Sequence, residues 1–324
     1  MKRDKLTFLI AELILIVLAA FFIHKIFQED VAQKRVAVIL QNSGDTRWEG
    51  VINGLKQSAK TNNLHLIICN TDDIVSAQDE RELIEEQLEN DVDAFILCPA
   101  PGTDTKDMLD WLGEQKKPFV LLTEDVYTGE QPEASGYATV KSDNYEIGYT
   151  LGTQLVRKNG EQLSGKKIGV IAGRAETEAS VNRIQGLKDA ISGYDCEIAW
   201  EYNDENNADI CAVVDAKKAV DYMVVMDTGA LDTLGEMSQN GEYNGAKIYG
   251  VGTSMKSISL LDGGHVQCLV IPDGYGIGYE SVLEISHKLT RAFYSVKSHE
   301  KEVKVIYKED LFSDEIERFL YSYE

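Results

Sequence analysis

The sequence predicts an α/β protein of two similar lobes, each a doubly wound parallel sheet, preceded by one transmembrane helix. Three observations predict it. A nearly continuous apolar run from Leu6 to Ile23 follows a basic start, short apolar runs alternate with amphipathic stretches from Val36 onward, and that alternation begins again at Ile168.

The apolar run comes first in the chain. Lys2, Arg3 and Lys5 precede it, and His24, Lys25 and the polar segment Gln28 to Lys34 follow it. A spanning helix needs about 17 to 25 residues, and extension through Ile26 and Phe27 brings the run comfortably into that range. The expected organisation is a cytoplasmic tail over 1–5, an anchor over 6–27 and a linker over 28–34. The basic flank stays inside, so the bulk of the chain is expected outside the cell membrane. A cleaved signal peptide is the alternative, but Ala19 and Ala20 run into Phe21, Phe22 and Ile23, with no small-x-small cleavage site. A lipid-anchored start is disfavoured because the first cysteine is Cys69. Glu12 lies within the run, where a charge costs roughly 2.5 to 3.5 kcal/mol on insertion scales. It marks either a partner in the membrane or a carboxylate tolerated near the cytoplasmic end.

Beyond the linker, Val36 to Leu40, Leu64 to Cys69, Ala94 to Cys98 and Phe119 to Thr123 read as buried strands. Between them Trp48, Val51, Ile52, Leu55 and Ala59 recur at helical spacing, and Ile84 and Leu88 mark the next helix. This βαβα order implies a parallel sheet covered on both faces. An offset of 132 then aligns Val36-Ala-Val-Ile with Ile168-Gly-Val-Ile, and Ile52-Asn-Gly-Leu-Lys56 with Ile184-Gln-Gly-Leu-Lys188. The spacing from strand to glycine is the same in both halves, so the chain should fold as two copies of one lobe, joined near Val140 to Asp143. Open α/β sheets bind ligands beyond the carboxyl ends of their strands. The loops Gln41 to Trp48 and Gly173 to Arg183 are therefore the first places to look.

Composition narrows the chemistry. A net charge of -22, from 54 acidic and 32 basic side chains, repels phosphate backbones and argues against nucleic acid as a partner. The five cysteines, Cys69, Cys98, Cys196, Cys211 and Cys268, are scattered singly in or beside apolar runs, so buried inert thiols are expected. The five histidines show no metal-ligand spacing, and no metal or cofactor is expected. The loop Gln41-Asn-Ser-Gly-Asp-Thr-Arg-Trp48 lacks the glycine fingerprint of dinucleotide enzymes, and no Gly-Lys-Ser/Thr phosphate loop occurs. An α/β enzyme is the least favoured reading.

Several pieces occur in one telling order: the first loop with Trp48 and Gly54, Asp91-Val-Asp-Ala-Phe-Ile-Leu97, Lys117-Pro-Phe-Val-Leu-Leu122, Ser142-Asp-Asn-Tyr-Glu-Ile-Gly148, Arg183-Ile-Gln-Gly186 and Tyr275-Gly-Ile-Gly-Tyr279. In this order the chain resembles the type I periplasmic solute-binding proteins, the ribose-binding and lactose-repressor-core superfamily, over about residues 35 to 324. The resemblance implies a three-strand hinge crossing near residues 141, 271 and 299. Lobe one would then hold 35–141 and 272–298, and lobe two 142–271 and 299–324. It also implies hinge closure on a small ligand, usually a sugar. Carried over residue by residue, it offers Asp45, Arg47, Trp48, Thr123, Glu124 and Arg183 as ligand contacts. Trp48 either stacks on a pyranose or begins the core stripe.

This sequence departs from the sugar-binding pattern at three places. Met226 stands where Asn is often found, leaving Asp227 as the nearby polar group; Gly250-Val-Gly-Thr-Ser254 lacks an Asp, with Thr253 and Ser254 as substitutes; and Ile271 replaces a common Gln. The ligand is then expected to be a sugar, a sugar derivative or a less hydroxylated solute. A DNA-binding regulator of this superfamily is excluded, because a membrane span stands where its helix-turn-helix would be. Two partners remain open, the permease of an ABC-type importer and a membrane sensor kinase.

Overall fold

The structure, a computed structural model, describes residues 12–19, 33–129, 133–204, 209–239 and 243–321. Residues 1–33 and 34–324 form separate compact units. In the first, residues 12–19 are helical (α1) and every one of these side chains is exposed. The rest of the expected 6–27 anchor lies outside the described residues, as does most of the 28–34 linker. Among the described residues no helix is long and apolar enough to cross a membrane.

The second unit contains two six-stranded sheets. The first is built from β1 (Arg35–Ile39), β2 (His65–Ile68), β3 (Ala94–Leu97), β4 (Phe119–Leu122), β5 (Thr139–Ser142) and β11 (His299–Lys301), in the order β11-β5-β4-β3-β1-β2. The second uses β6 (Lys166–Arg174), β7 (Cys196–Asp204), β8 (Tyr222–Val225), β9 (Lys247–Val251), β10 (Val266–Pro272) and β12 (Val303–Ile306), in the order β12-β10-β9-β8-β6-β7. Each strand of one sheet has a counterpart at the same place in the other. The single difference is the sixth strand, since β11 runs parallel to β5 whereas β12 runs antiparallel to β10.

Alternation along the central strands feeds both faces of each sheet. Val36, Val38 and Leu40 enter one hydrophobic cluster while Ala37 and Ile39 enter another, and Tyr222, Val224 and Met226 separate from Met223 and Val225 in the same way. A strand buried on both faces reads as a continuous apolar run, which is why these segments stood out in the sequence. Residues 34–324 thus carry both sheets and all four clusters, the elements a chain needs to fold as an independent unit.

The chain passes between the lobes three times, and each crossing falls slightly later than expected. Ser142 still pairs in the first sheet, and Pro272 still pairs in the second. His299–Lys301 belongs to the first sheet, so the third crossing comes at Glu302 rather than at 299. After two of these crossings an aspartate starts the next helix. Asp143 accepts from the backbone N–H groups of Tyr145 and Glu146 to begin α5 (Asn144–Asn159), and Asp273 accepts from Gly276 to begin α10 (Gly274–Thr290). Such caps satisfy N–H groups that have no partner within the helix.

The repeated glycines explain themselves in the helix packing. In lobe one α10 crosses α2 (Glu49–Thr61), and in lobe two α5 crosses α6 (Glu178–Ile191). A Cβ at Gly54 would overlap the Tyr275 carbonyl oxygen, and one at Gly278 would overlap that of Val51. Gly186 stands in the same way against Tyr145, and Gly148 against Arg183. Tyr145 stacks on Tyr149 and Tyr275 on Tyr279, with ring centroids 6.1 and 6.0 Å apart. The two helix pairs are therefore copies of one backbone-to-backbone contact.

Of the cysteines, Cys69, Cys98 and Cys268 are buried, while Cys196 and Cys211 are half-buried, which corrects the expectation that all five are buried; none of the five forms a disulfide among the described residues. Burial pushes the Cys69 thiol up to about 11 and that of Cys268 up to about 12.

Candidate functional site

A cavity of about 500 Å³ opens where the carboxyl ends of both sheets meet. Gln41 follows β1, Cys98 follows β3, Thr123 and Glu124 follow β4, and Met226 and Asp227 follow β8; all of them line it. Of the predicted contacts, Arg47, Trp48, Thr123, Glu124, Arg183, Asp227 and Thr253 line the cavity. Asp45 does not. It caps the short 3₁₀ turn Thr46–Trp48 by accepting from the Arg47 N–H, and its carboxylate lies 3.3 Å from Arg47 Nε. Its place is to hold the guanidinium rather than to face the cavity.

Trp48 precedes α2 instead of starting it. Its side chain is buried in the lobe-one core, and Nε1 donates to the Gln41 carbonyl at 2.8 Å. Arg183 lies within α6, not in the loop before it. Its Nε donates to Asn144 Oδ1 at 2.9 Å and its Nη1 to the Met226 carbonyl at 2.6 Å. The residue that replaces a polar side chain thus still contributes, through its backbone. Thr123 adopts φ +67, a conformation costly for a branched residue, and its carbonyl accepts from Asn144 Nδ2 at 3.3 Å. Strain of this kind persists only where the surroundings fix it.

Direct bonds between the lobes surround the cavity. Arg47 Nη1 stands 3.5 Å from Asp227 Oδ2, and Thr253 Oγ1 donates to the Arg47 carbonyl at 3.4 Å. Arg174 Nη1 donates to Gln41 Oε1 at 2.9 Å and to Asp73 Oδ1 at 2.8 Å. At the opposite side, Glu178 accepts from Lys141 Nζ at 2.6 Å, Asn144 Nδ2 at 2.8 Å and the Asp125 N–H at 3.2 Å. The Ala179 N–H in turn donates to Glu124 Oε2 at 3.2 Å. Sequence reasoning did not single out Gln41, Asn144, Arg174 or Glu178, although Gln41, Arg174 and Glu178 lie in the two loops it marked and Asn144 lies beside the first crossover.

Two buried carboxyls lie behind this seam. Burial and then the charge of Glu178 raise Glu124 to about 7. Glu80, 0% exposed, is raised to about 8, chiefly by burial and further by Glu124; its Oε2 accepts from the Ala100 N–H at 2.8 Å. A carboxyl raised in the folded state binds more protons there than in the unfolded chain. Its contribution is complete below the ordinary value of 4.5 and is lost as pH rises through about 7 and about 8. The melting temperature is therefore expected to fall from about pH 5 to about pH 9, and Glu80→Gln to flatten the upper part of that decline. An unchanged slope in thermal melts of this variant would exclude Glu80 as a source.

A second cluster brings His299 to Glu280 and Glu284, a proximity that spacing along the chain could not show. Glu284 accepts from Tyr294 Oη and the Lys297 N–H and lies 2.8 Å from His299 Nε2, while Lys301 Nζ is 2.9 Å from Glu280. These carboxylates already have partners, and the cluster ties α10 to β11.

A model of the periplasmic binding protein domain matches residues 36–289. No curated protein matches the sequence. Among solved structures, the chain is similar to GanP, a glucose-galactose binding protein from Geobacillus stearothermophilus. That match has a TM-score of 0.75 at 17% identity and covers 87% of this chain and 99% of the other. It is similar to a carbohydrate transporter solute binding protein from Agrobacterium radiobacter in complex with D-arabinose, with a TM-score of 0.77, 13% identity, and 90% and 100% covered. The XylFII-LytSN complex gives 0.72 at 16% identity, with 86% and 99% covered.

Proposed function

The chain belongs to the periplasmic binding protein domain family, and from that premise we propose that it is a solute receptor whose lobes close on a small polar ligand, a sugar or sugar derivative. The observation that carries this reading is the 500 Å³ cavity at the carboxyl ends of both sheets, lined by each lobe and bordered by bonds between them. Ligand held there contacts both lobes at once, so it favours the closed arrangement by its differential affinity. Arg183 is the central donor. Asn144 and the Met226 carbonyl hold two of its nitrogens, and the fork is oriented before any ligand arrives. Arg47, Trp48, Thr123, Glu124, Asp227 and Thr253 complete the contacts, with Asp45 supporting Arg47.

Residues 6–27 anchor the receptor in the cell membrane in this proposal, with the lobes outside. An ABC-type permease is the partner, on the strength of neighbours such as the carbohydrate transporter protein. The second reading, a co-receptor for a membrane sensor kinase, is favoured by one observation: a structural neighbour was solved in complex with a protein partner.

A thermal-shift screen of residues 34–324 against sugars, amino acids and nucleosides tests the proposal. A sugar should raise the melting temperature, and Arg183→Lys should weaken its binding about tenfold, because an ammonium cannot reproduce the held fork. No shift at millimolar sugar would overturn the reading; a shift that Arg183→Lys leaves intact would overturn the assignment of the site.

A further inference from the structure

Resting on that reading, we infer that the ligand carries an apolar substituent, seated against a wall formed by Met255, Ile258, Ile271, Pro272, Phe319 and Leu320. All six line the same cavity as Arg183. Met255 and Ile258 lie one turn apart on α9 (Met255–Asp262), and Phe319 and Leu320 lie on the terminal helix α11 (Asp314–Tyr321). Residues three apart share a helix face. Ile258, Phe319 and Leu320 pack on the same core cluster as Ile271, which fixes the wall in place.

Two observations point to an amphipathic ligand. The wall offers no polar side chain, so a hydroxyl facing it would lose its hydration without gaining a partner. Elsewhere several polar groups of the lining are already engaged within the protein. Gln41 bonds Pro99 and Arg174, and Asn144 bonds Arg183, Glu178 and Thr123. Thr228 and Thr253 share a bond, and Ser142 donates to the Glu302 carbonyl. A ligand hydroxylated on every side would compete with these bonds and leave hydroxyls unpaired against the wall, whereas one with a polar ring and an apolar arm places the ring near Arg183 and the arm against the wall. A cavity of about 500 Å³ falls in the range that encloses a ligand of that size.

Titration calorimetry of residues 34–324 with matched methyl and phenyl glycosides of glucose, galactose and arabinose tests this. For a sugar that binds, the phenyl glycoside should bind about tenfold tighter than the methyl. That ratio should shrink in Phe319→Ser and also in Met255→Ser, whose side chain is exposed enough for the fold to tolerate the change. Equal or weaker binding of the phenyl glycoside, or a ratio that both variants leave intact, would overturn the inference and leave the solute-binding reading standing. Binding of neither glycoside would overturn that reading, and the inference with it.

Discussion

Glu178→Ala should destabilise the protein by about 3 kcal/mol and weaken closure of the two lobes. The carboxylate is 4% exposed and accepts from donors of both lobes: the Asp125 N–H and Lys141 on one side, Asn144 and Asn182 on the other. Removing one partner of a buried charged pair is costly because the other is left uncompensated. Lys141 keeps 23% of its side-chain exposure, which places the cost at the lower end of the usual range. Asn144 would lose the bond to Glu178 that holds the amide serving Arg183, so ligand affinity should fall as well. Chemical denaturation of the variant measures the first effect and calorimetry the second; a loss below about 1 kcal/mol would mean that the seam does not depend on this carboxylate. The variant also removes a charge that raises Glu124, whose titration should then move downward from about 7.

Gly148→Ala should cost about as much, by a different route. Its Cβ would overlap the Arg183 backbone, including the carbonyl oxygen, so α5 and α6 must separate. Inserting a methyl into a packed contact costs about 1 to 3 kcal/mol, and contact with unyielding backbone belongs at the top of that range. The same two helices carry Asn144 and Arg183, and parting them disturbs the oriented fork, for an expected affinity loss of about tenfold or more. Gly278→Ala provides the comparison. It forces α10 away from α2 in lobe one and should lower stability similarly while leaving the Asn144–Arg183 bond in place. Equal losses of affinity in the two variants would show that helix spacing in lobe two has no special role in binding.

Much of this architecture could be read before any coordinates, because it rests on periodicity. Strands buried on both faces become apolar runs, and the observed strand ends lie close to those runs. The 132-residue offset correctly paired Gly54 with Gly186, yet it could not say why glycine is needed there; the reason is a carbonyl from a helix distant in sequence. Site residues at strand ends followed from the general geometry of open sheets. Glu178 did not, because a glutamate in a first helical turn ordinarily reads as a favourable charge beside the helix N-terminus. Its other role appears only when Lys141, Asp125 and Asn144 converge on it. Phe319 and Leu320 were equally hidden, since nothing in the terminal segment shows which cavity it will wall.

The three crossings have a consequence for synthesis. Ile277, Val282 and Ile285 of α10 complete a core whose other residues begin at Val36, and β11 completes the first sheet. The lobe translated first is thus unable to close until the ribosome has passed Lys301. The second lobe waits only a little longer, for Ile306, Leu311 and Ile316. Both cores become complete almost together, once the segment from Lys301 to Ile316 has been made, and the half-built first lobe must keep its apolar face from aggregating until then.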